Sequence, residues 1–339
     1  MDSERNLKNK KIVAEYWSRA CGANSSDLTF VLQPFLTRES YWQGPHPINR
    51  LEGLDALVEE FYRPLFAAFP DAVREPYILM GGEYRSGDEW VSGTGHFRGT
   101  FAADWHGIPA TGKEATLRFG EFCRLEKGKI VASYVILDIP DLMRQAGYDV
   151  LAPNLGQDGF AYPPKAGDGI LLTGQNPLEG ARSRKLVEDM IAGLSDYDGS
   201  GNLDSMHQED FWDAEKMVWY GPHGIGTTFG LNGFQEGHQR PFLESFPDRK
   251  GGNHVCRHGD GLYAASTGWP SVKAKFAGKP YKGVPPTNAA FGMRVMDWWR
   301  REGDKLVENW VFLDFIDFYL QWGVDLFERM QTMIGENNG

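Results

Sequence analysis

The feature that most limits how this chain can fold is an internal repeat. The pentapeptide WQGPH, starting at Trp42, returns as WYGPH at Trp219, and the two stretches run on without a gap to Asp71 and Asp248 at an offset of 177 residues. Thirteen of those 30 positions are identical, among them Gly44/Gly221, Pro45/Pro222, His46/His223, Arg63/Arg240, Pro64/Pro241 and Asp71/Asp248. Average residue usage would give about two. A second block, at an offset of 176, pairs GKIVASYVILDIPDLMRQAG with DKLVENWVFLDFIDFYLQWG and aligns Asp138/Asp314, Asp141/Asp317 and Gln145/Gln321, with Arg118/Arg294 upstream. Two copies of one unit are therefore expected, over residues 1–150 and 178–339. Residues 151–177, rich in Gly and Pro and without a regular period, read as a linker.

Each copy opens with a helical pattern, KKIVAEYW or RKLVEDMIAGL. After the WxGPH turn, Leu51, Leu54, Leu57, Val58, Phe61, Leu65 and Phe69 form the stripe of an amphipathic helix that Pro70 ends. The period then changes to two around Trp90 to Phe101, Ala115 to Leu125 and Ile130 to Ile139, as in half-buried antiparallel strands. A Lys127-Gly128 turn would close the last hairpin and set Glu121 opposite Tyr134 and Leu117 opposite Asp138. The same register in the second copy sets Asp297 opposite Trp310 and Met293 opposite Asp314. Helices followed by a curved antiparallel sheet make each copy an α+β unit.

Composition narrows the partners. Net charge is -11, no run of Lys and Arg tracks phosphates, and no stretch nears the ~18 apolar residues of a membrane span, so neither nucleic acid nor membrane is expected. The charged N-terminus and three scattered cysteines suggest a cytoplasmic setting. No GxSxG, Walker loop or complete dinucleotide fingerprint occurs.

The GPxP-like turn, the AAFPD helix end, GTGHFRGTF followed by GIPATGK, and GKIVxxxxxxD with its closing RQAG together resemble the SnoaL-like polyketide cyclase family. That resemblance implies a cone-shaped α+β barrel in each copy, of the kind shared with nuclear transport factor two and ketosteroid isomerase, and a pair of copies packed as a dimer's subunits would be. It also implies cofactor-free acid/base chemistry, typically an aldol ring closure, on a small, largely apolar carbonyl or ester compound. By motif match the acid/base residue is Asp138, assisted by His96. In the second copy Asp314 matches the Asp, while TGH reads TGW and puts Trp269 in place of the His, so the first copy is expected to be the active one. An isomerase or dehydratase, or a non-catalytic small-molecule carrier, fits the same fold.

The residues themselves leave each role open. Asp138 can shuttle protons if apolar neighbours raise its pKa, or it can cap the helix that follows. His96 sits on an alternating strand whose inward face is not fixed by pattern. Glu121 and Asp297 lie among apolar residues and need a partner, either an internal Arg or a ligand. Trp42, His46, Arg118 and Tyr134, with their counterparts Trp219, His223, Arg294 and Trp310 and with Trp269, are the candidate substrate contacts, the two His residues equally suiting a turn. His254, Cys256 and His258 alternate as zinc ligands would, but the first copy has Gly82, Tyr84 and Ser86 there; DYDGSGNLDSMH resembles a calcium loop or a turn between two helices, with His207 where a bidentate Glu belongs, and no metal or cofactor is expected.

Overall fold

The computed structural model describes residues 2–22, 26–85, 87–151, 153–159 and 161–337, the side chain of residue 337 excepted. The chain forms two compact α+β units, one of residues 1–150, 166–175 and 327–339, the other of residues 151–165 and 176–326. The segment expected as a linker is thus shared: Gly169 and Leu171 bond to Leu79 in the first unit, and Gln157 exchanges backbone hydrogen bonds with Thr227 in the second.

In the first unit α1 (Ser3–Gly22) and α2 (Leu28–Leu32) lead into β1 (Leu36–Gln43) and β2 (Arg50–Glu52). The expected amphipathic helix follows as α3 (Gly53–Leu57), a wide π turn (Val58–Tyr62) and α4 (Arg63–Ala68). Pro64 explains the widening, because its ring has no N–H and would clash with the carbonyl four residues back in a regular helix. Then come β3 (Val73–Tyr84), β4 (Asp88–Thr100), β5 (Glu114–Glu126), β6 (Lys129–Leu137) and α5 (Ile139–Gln145). The sheet order is β2-β1-β6-β5-β4-β3, with β1 parallel to β6 and the rest antiparallel.

The second unit repeats this plan with α6 (Pro177–Gly193), β7 (Val218–Tyr220), β8 (Thr227–Phe229), α7 (Gly230–Phe234), a π turn (Gln235–Gln239) and α8 (Arg240–Ser245). It continues with β9 (Lys250–Gly251), β10 (His254–Asp260), β11 (Tyr263–Lys275), β12 (Ala290–Glu302), β13 (Lys305–Leu313) and α9 (Phe315–Gln321). Its order, β8-β7-β13-β12-β11-β10, matches the first sheet, with β9 and β10, both paired to β11, together taking the place of β3. Most of the last helix, α10 (Leu326–Asn337), belongs to the first unit, where Arg329 donates to the Val150 carbonyl at 2.8 Å.

The pentapeptide recurs for a steric reason. Gly44 lies so close over the Trp42 ring that a Cβ would stand 1.7 Å from it, and Gly221 repeats this over Trp219 at 2.1 Å. The covered ring then packs on the π turn: Trp42 stacks on Phe61 at 4.8 Å, and Trp219 on His238 at 4.6 Å.

Both hairpins close as expected, with Glu126 opposite Lys129 and Glu302 opposite Lys305, but the registers beyond differ from expectation. One extra residue, Val131 or Val307, bulges just past each turn. Glu121 therefore faces Val135 rather than Tyr134, and Asp297 faces Val311 rather than Trp310. Asp138 and Asp314 donate their backbone N–H groups to the carbonyls of Arg118 and Arg294 instead of lying opposite Leu117 and Met293.

The helix-facing side of the first sheet is identified by Gly93, which lies opposite Glu121 and where a Cβ would stand 2.7 Å from Trp17 of α1. On that face Arg74 donates to Glu121 at 2.6 Å, both side chains almost fully buried. The guanidinium lies 4.0 Å from the ring centres of Trp17 and Phe119, so aromatic faces and a carboxylate enclose it. Removing one member of such a pair strands the other. Arg74→Met should lower the stability of the first unit by about 3–5 kcal/mol, and the Arg74→Met/Glu121→Leu double variant should recover most of it. Calorimetric unfolding of the three proteins tests this, and a double variant no better than the single one would contradict it.

Candidate active site

The second unit encloses a cavity of about 980 Å³ between its sheet and helices. Its walls include Ile191, Trp212, Trp219, Phe234, Phe242, Met293, Val295 and Trp299, with Ser266, Asp297 and Asn309 among the polar groups. Strand pairing explains this set: Ser266 lies opposite Asp297, Asp297 opposite Val311 and Trp299 opposite Asn309, all on one face.

The cavity exists because large residues of the first unit have smaller counterparts here. In the helical openings KKIVAEYW and RKLVEDMI, Trp17 corresponds to Ile191 and Tyr16 to Met190. Phe119 corresponds to Val295, and since Phe97 pairs with Leu117 where Val272 pairs with Met293, Phe97 corresponds to Val272. Arg74 lies opposite Phe97, and Gly251 lies opposite Val272, so a glycine occupies the position of the buried arginine. The same interior space in the first unit holds Trp17, Arg74 and Phe119.

Asp297 corresponds to Glu121, yet no arginine reaches it as Arg74 reaches Glu121. Surrounded by protein but open to the cavity, its carboxyl is pushed up to about 7 by burial, against a hydrogen bond from Asn309 and the charge of Arg257. Arg257 is turned aside, its Nε 3.3 Å from Ser266 Oγ. His238, in the place of Phe61, also lines the cavity, and burial lowers its imidazole to about 4, so it is neutral at pH 7.

The other candidates stand elsewhere. His96 and Arg118 face each other across β4 and β5 on the side of the first sheet turned away from α1, the side opposite Glu121. Burial, then the charge of Arg118, holds His96 down to about 4, and its ring packs against Tyr77 at 5.6 Å. Asp138 is buried at the N-terminus of α5 without capping it through its side chain. Asp314 does cap α9, accepting from the Asp317 N–H at 3.2 Å, and takes a hydrogen bond from Arg294 at 3.1 Å. Burial still raises it to about 6. Arg294 lies over the Trp269 ring at 4.6 Å, so Trp269, Arg294 and Asp314 form one cluster outside the cavity.

Tyr134 bonds to the Tyr41 hydroxyl at 3.1 Å, and Trp310 donates to the Tyr162 carbonyl at 2.8 Å, both on the face their bulges turn away from the carboxylates. His46 lies 6.0 Å from the Phe327 ring, and His223 is buried with Nδ1 3.6 Å from Asp158, each within its turn. Trp42 serves the π-turn packing described above, whereas Trp219 does so and also lines the cavity. A β-bulge separates His254 from Cys256 and breaks the face expected for zinc. Among the described residues, no group of three or more His, Cys, Asp and Glu could hold a metal. In the calcium-like loop Asp198 accepts the Ser200 N–H at 2.8 Å, an internal turn contact. Among the described residues no helix is long and apolar enough to cross a membrane.

Sequence reasoning missed Gly251 and His238 as determinants of the site. The repeat alignment contained the signal for both: His238 sits at Phe61's aligned position, and Gly251 three residues past the gapless block.

A carboxyl titrating near 7 when folded and near 3.9 when unfolded binds its proton more tightly in the native state. Its protonation therefore supports stability at low pH, and that support is lost as pH rises from about 4 to about 7. Asp297→Asn should stabilise the second unit at pH 8 by up to about 4 kcal/mol and have little effect at pH 4, as read by calorimetry at the two pH values. Equal shifts at both would show that the carboxyl is not perturbed. Gly251 has open space where a side chain would begin. Gly251→Arg should therefore bring a guanidinium to Asp297 and draw its titration, followed by carboxyl NMR, below neutrality.

Residues 14–146 match the model of the SnoaL-like polyketide cyclase family. Solved structures similar to this chain include a protein from Jannaschia sp. CCS1 provisionally described as a SnoaL-like polyketide cyclase, 17% identical over 41% of this chain and 90% of that one, with a TM-score of 0.35. An NTF2-like protein from Burkholderia thailandensis E264 is 22% identical over 41% and 96%, with a TM-score of 0.31. The epoxide hydrolase/cyclase-like enzyme SalBIII is 20% identical over 38% and 90%, with a TM-score of 0.30. No curated protein matches. The segment that matches this family model, residues 14–146, forms most of the helices and the curved sheet of the first unit.

Proposed function

We propose that the chain is a fused pair of SnoaL-like barrels, centred on residues 1–150 and 178–339, in which the second barrel carries the reaction. The chemistry is cofactor-independent acid/base catalysis on a small, largely apolar carbonyl compound, with aldol-type ring closure as the leading case. One observation carries the reading: a carboxyl raised to about 7 opens into a cavity of about 980 Å³ walled by aromatic and aliphatic side chains.

A group with that pKa is present in both protonation states at neutral pH, so it can take a proton alpha to a carbonyl and return one to the alkoxide formed on closure. Asn309, whose Nδ2 donates to the Trp298 carbonyl at 3.0 Å, is the amide beside the carboxyl and favours its ionised form. The apolar walls around it disfavour the ionised form and so strengthen the carboxylate as a base. An isomerase or dehydratase would use the same proton shuttle on a different carbonyl compound, and substrate identity alone separates these reactions.

Proton abstraction can be read without knowing the substrate, by following deuterium exchange alpha to the carbonyl of cyclic ketones such as 2-tetralone by NMR. The protein should accelerate exchange with a rate that rises with pH through an apparent pKa near 7, because the ionised form is the base. Asp297→Asn should reduce the rate about 10²- to 10⁴-fold, while Asp138→Asn leaves it unchanged. Acceleration that survives Asp297→Asn would remove Asp297 from the mechanism, and loss in Asp138→Asn alone would return the site to the first barrel.

A further inference from the structure

We infer that the ligand of the second barrel is an amphipathic anion, with its apolar carbonyl-bearing body in the cavity and an anionic end group, carboxylate or phosphate, held at a cationic rim. The inference rests on the reading of that cavity as the working site and adds the class of compound that enters it. Arg249 and Lys250 both border the cavity. Lys250 also borders a groove of about 630 Å³ on the other face of the sheet, where Lys273 and Lys275 lie with Trp269, so Arg249 and Lys250 are the cations at the cavity itself.

These four cations have no carboxylate partner among the described residues. Arg249 is half-buried against the Tyr197 ring at 5.4 Å, and burial lowers its pKa. Lys250 and Lys273, both exposed, lie directly opposite one another across β9 and β11, a like-charge pairing that an anion between them would relieve. Of the nearby carboxylates two are paired with other cations and two accept backbone N–H groups. Glu244 pairs with Lys279 at 3.0 Å, Asp317 with Arg294 at 3.1 Å, Asp198 accepts within its own turn, and Asp248 accepts the Lys275 backbone N–H at 2.8 Å.

Comparison with the first unit shows that this charge is not part of the shared fold. There, Arg98 lies opposite Val73, as Lys273 lies opposite Lys250, and it is neutralised by Glu75 at 2.5 Å and Glu114 at 3.3 Å. The corresponding positions in the second unit are Gly252 and Ala290, so both acids are gone. Ala72, Val73 and Thr100 correspond to Arg249, Lys250 and Lys275. One edge of the second sheet has thus gained three cations and lost two anions in a chain of net charge -11. A local positive rim in a negative protein focuses anions at the mouth it borders.

Isothermal titration of the intact chain with 2-naphthylacetate, 2-naphthyl phosphate and the neutral 2-naphthaleneethanol tests this. At low salt at least one anion should bind about tenfold or more tightly than the alcohol, and that margin should shrink at about 0.5 M salt, where screening is strong. Whichever anion binds more tightly identifies the end group. Arg249→Gln/Lys250→Gln should remove the margin and leave alcohol affinity unchanged, while Asp297→Asn should keep the margin. Equal affinity for anions and alcohol, or a margin that survives the double variant, overturns the anionic class and leaves the cavity reading intact. Failure of all three to bind overturns both.

Discussion

A carboxyl group hangs from the helix-facing side of each sheet at the same ladder position, and what answers its charge decides what the rest of that barrel can be. In the first unit the answer is internal. Arg74 meets Glu121 at 2.6 Å, and Trp17 and Phe119 close over the guanidinium, so the interior is filled around an ion pair. In the second unit Gly251 stands where the arginine would be, and the carboxyl of Asp297 opens into empty volume with only Asn309 and the deflected Arg257 to moderate it. A buried charge without a close partner favours its neutral form, and the raised pKa of Asp297 is the direct result.

The two units otherwise hold the same frame. Each packs a glycine-covered tryptophan on a π turn placed just before a helix proline, and each fastens the far end of the sheet with an aspartate. Asp71 accepts the Thr100 N–H at 2.7 Å, and Asp248 accepts the Lys275 N–H at 2.8 Å. These contacts do not face the carboxylates, so they can persist while the interior changes. Glycine at 251 leaves the inner carboxylate without a counterpart of Arg74, and Ile191, Val272 and Val295 in place of Trp17, Phe97 and Phe119 leave the space around it unfilled.

That division also explains what was legible in the sequence. The repeat, the order of helices and strands and the two-residue hairpin turns follow from local patterns, and each is found. The register beyond the hairpin was not legible, because one bulged valine moves every later residue by one position and nothing in alternating apolar sequence marks it. That single residue separates Glu121 from Tyr134, and it sets Asp138 beside Arg118, on the opposite face from Glu121. The location of the cavity was hidden for a different reason. It depends on Ile191, Gly251, Val272 and Val295 lying together, and these residues belong to four elements far apart in the chain. The motif match directed attention to His96 and Trp269, which lie on the other side of their sheets.

On the proposed reading, the same geometry argues against Asp314 as the acid/base group despite its raised pKa. Its carboxyl already receives Arg294 and the N–H of Asp317, and ionisation is what both contacts favour, so taking up a proton would weaken a helix cap and an ion pair together. Asp297 has no such commitment. Its pKa is raised chiefly by burial, and its one hydrogen-bonding neighbour, Asn309, carries both a donor and an acceptor and can serve either protonation state. A group that must gain and lose a proton within one cycle is better held by a neutral amide than by a guanidinium. The first barrel's arrangement of arginine on carboxylate therefore suits a structural core, and the second barrel's arrangement of amide on carboxylate suits a proton shuttle.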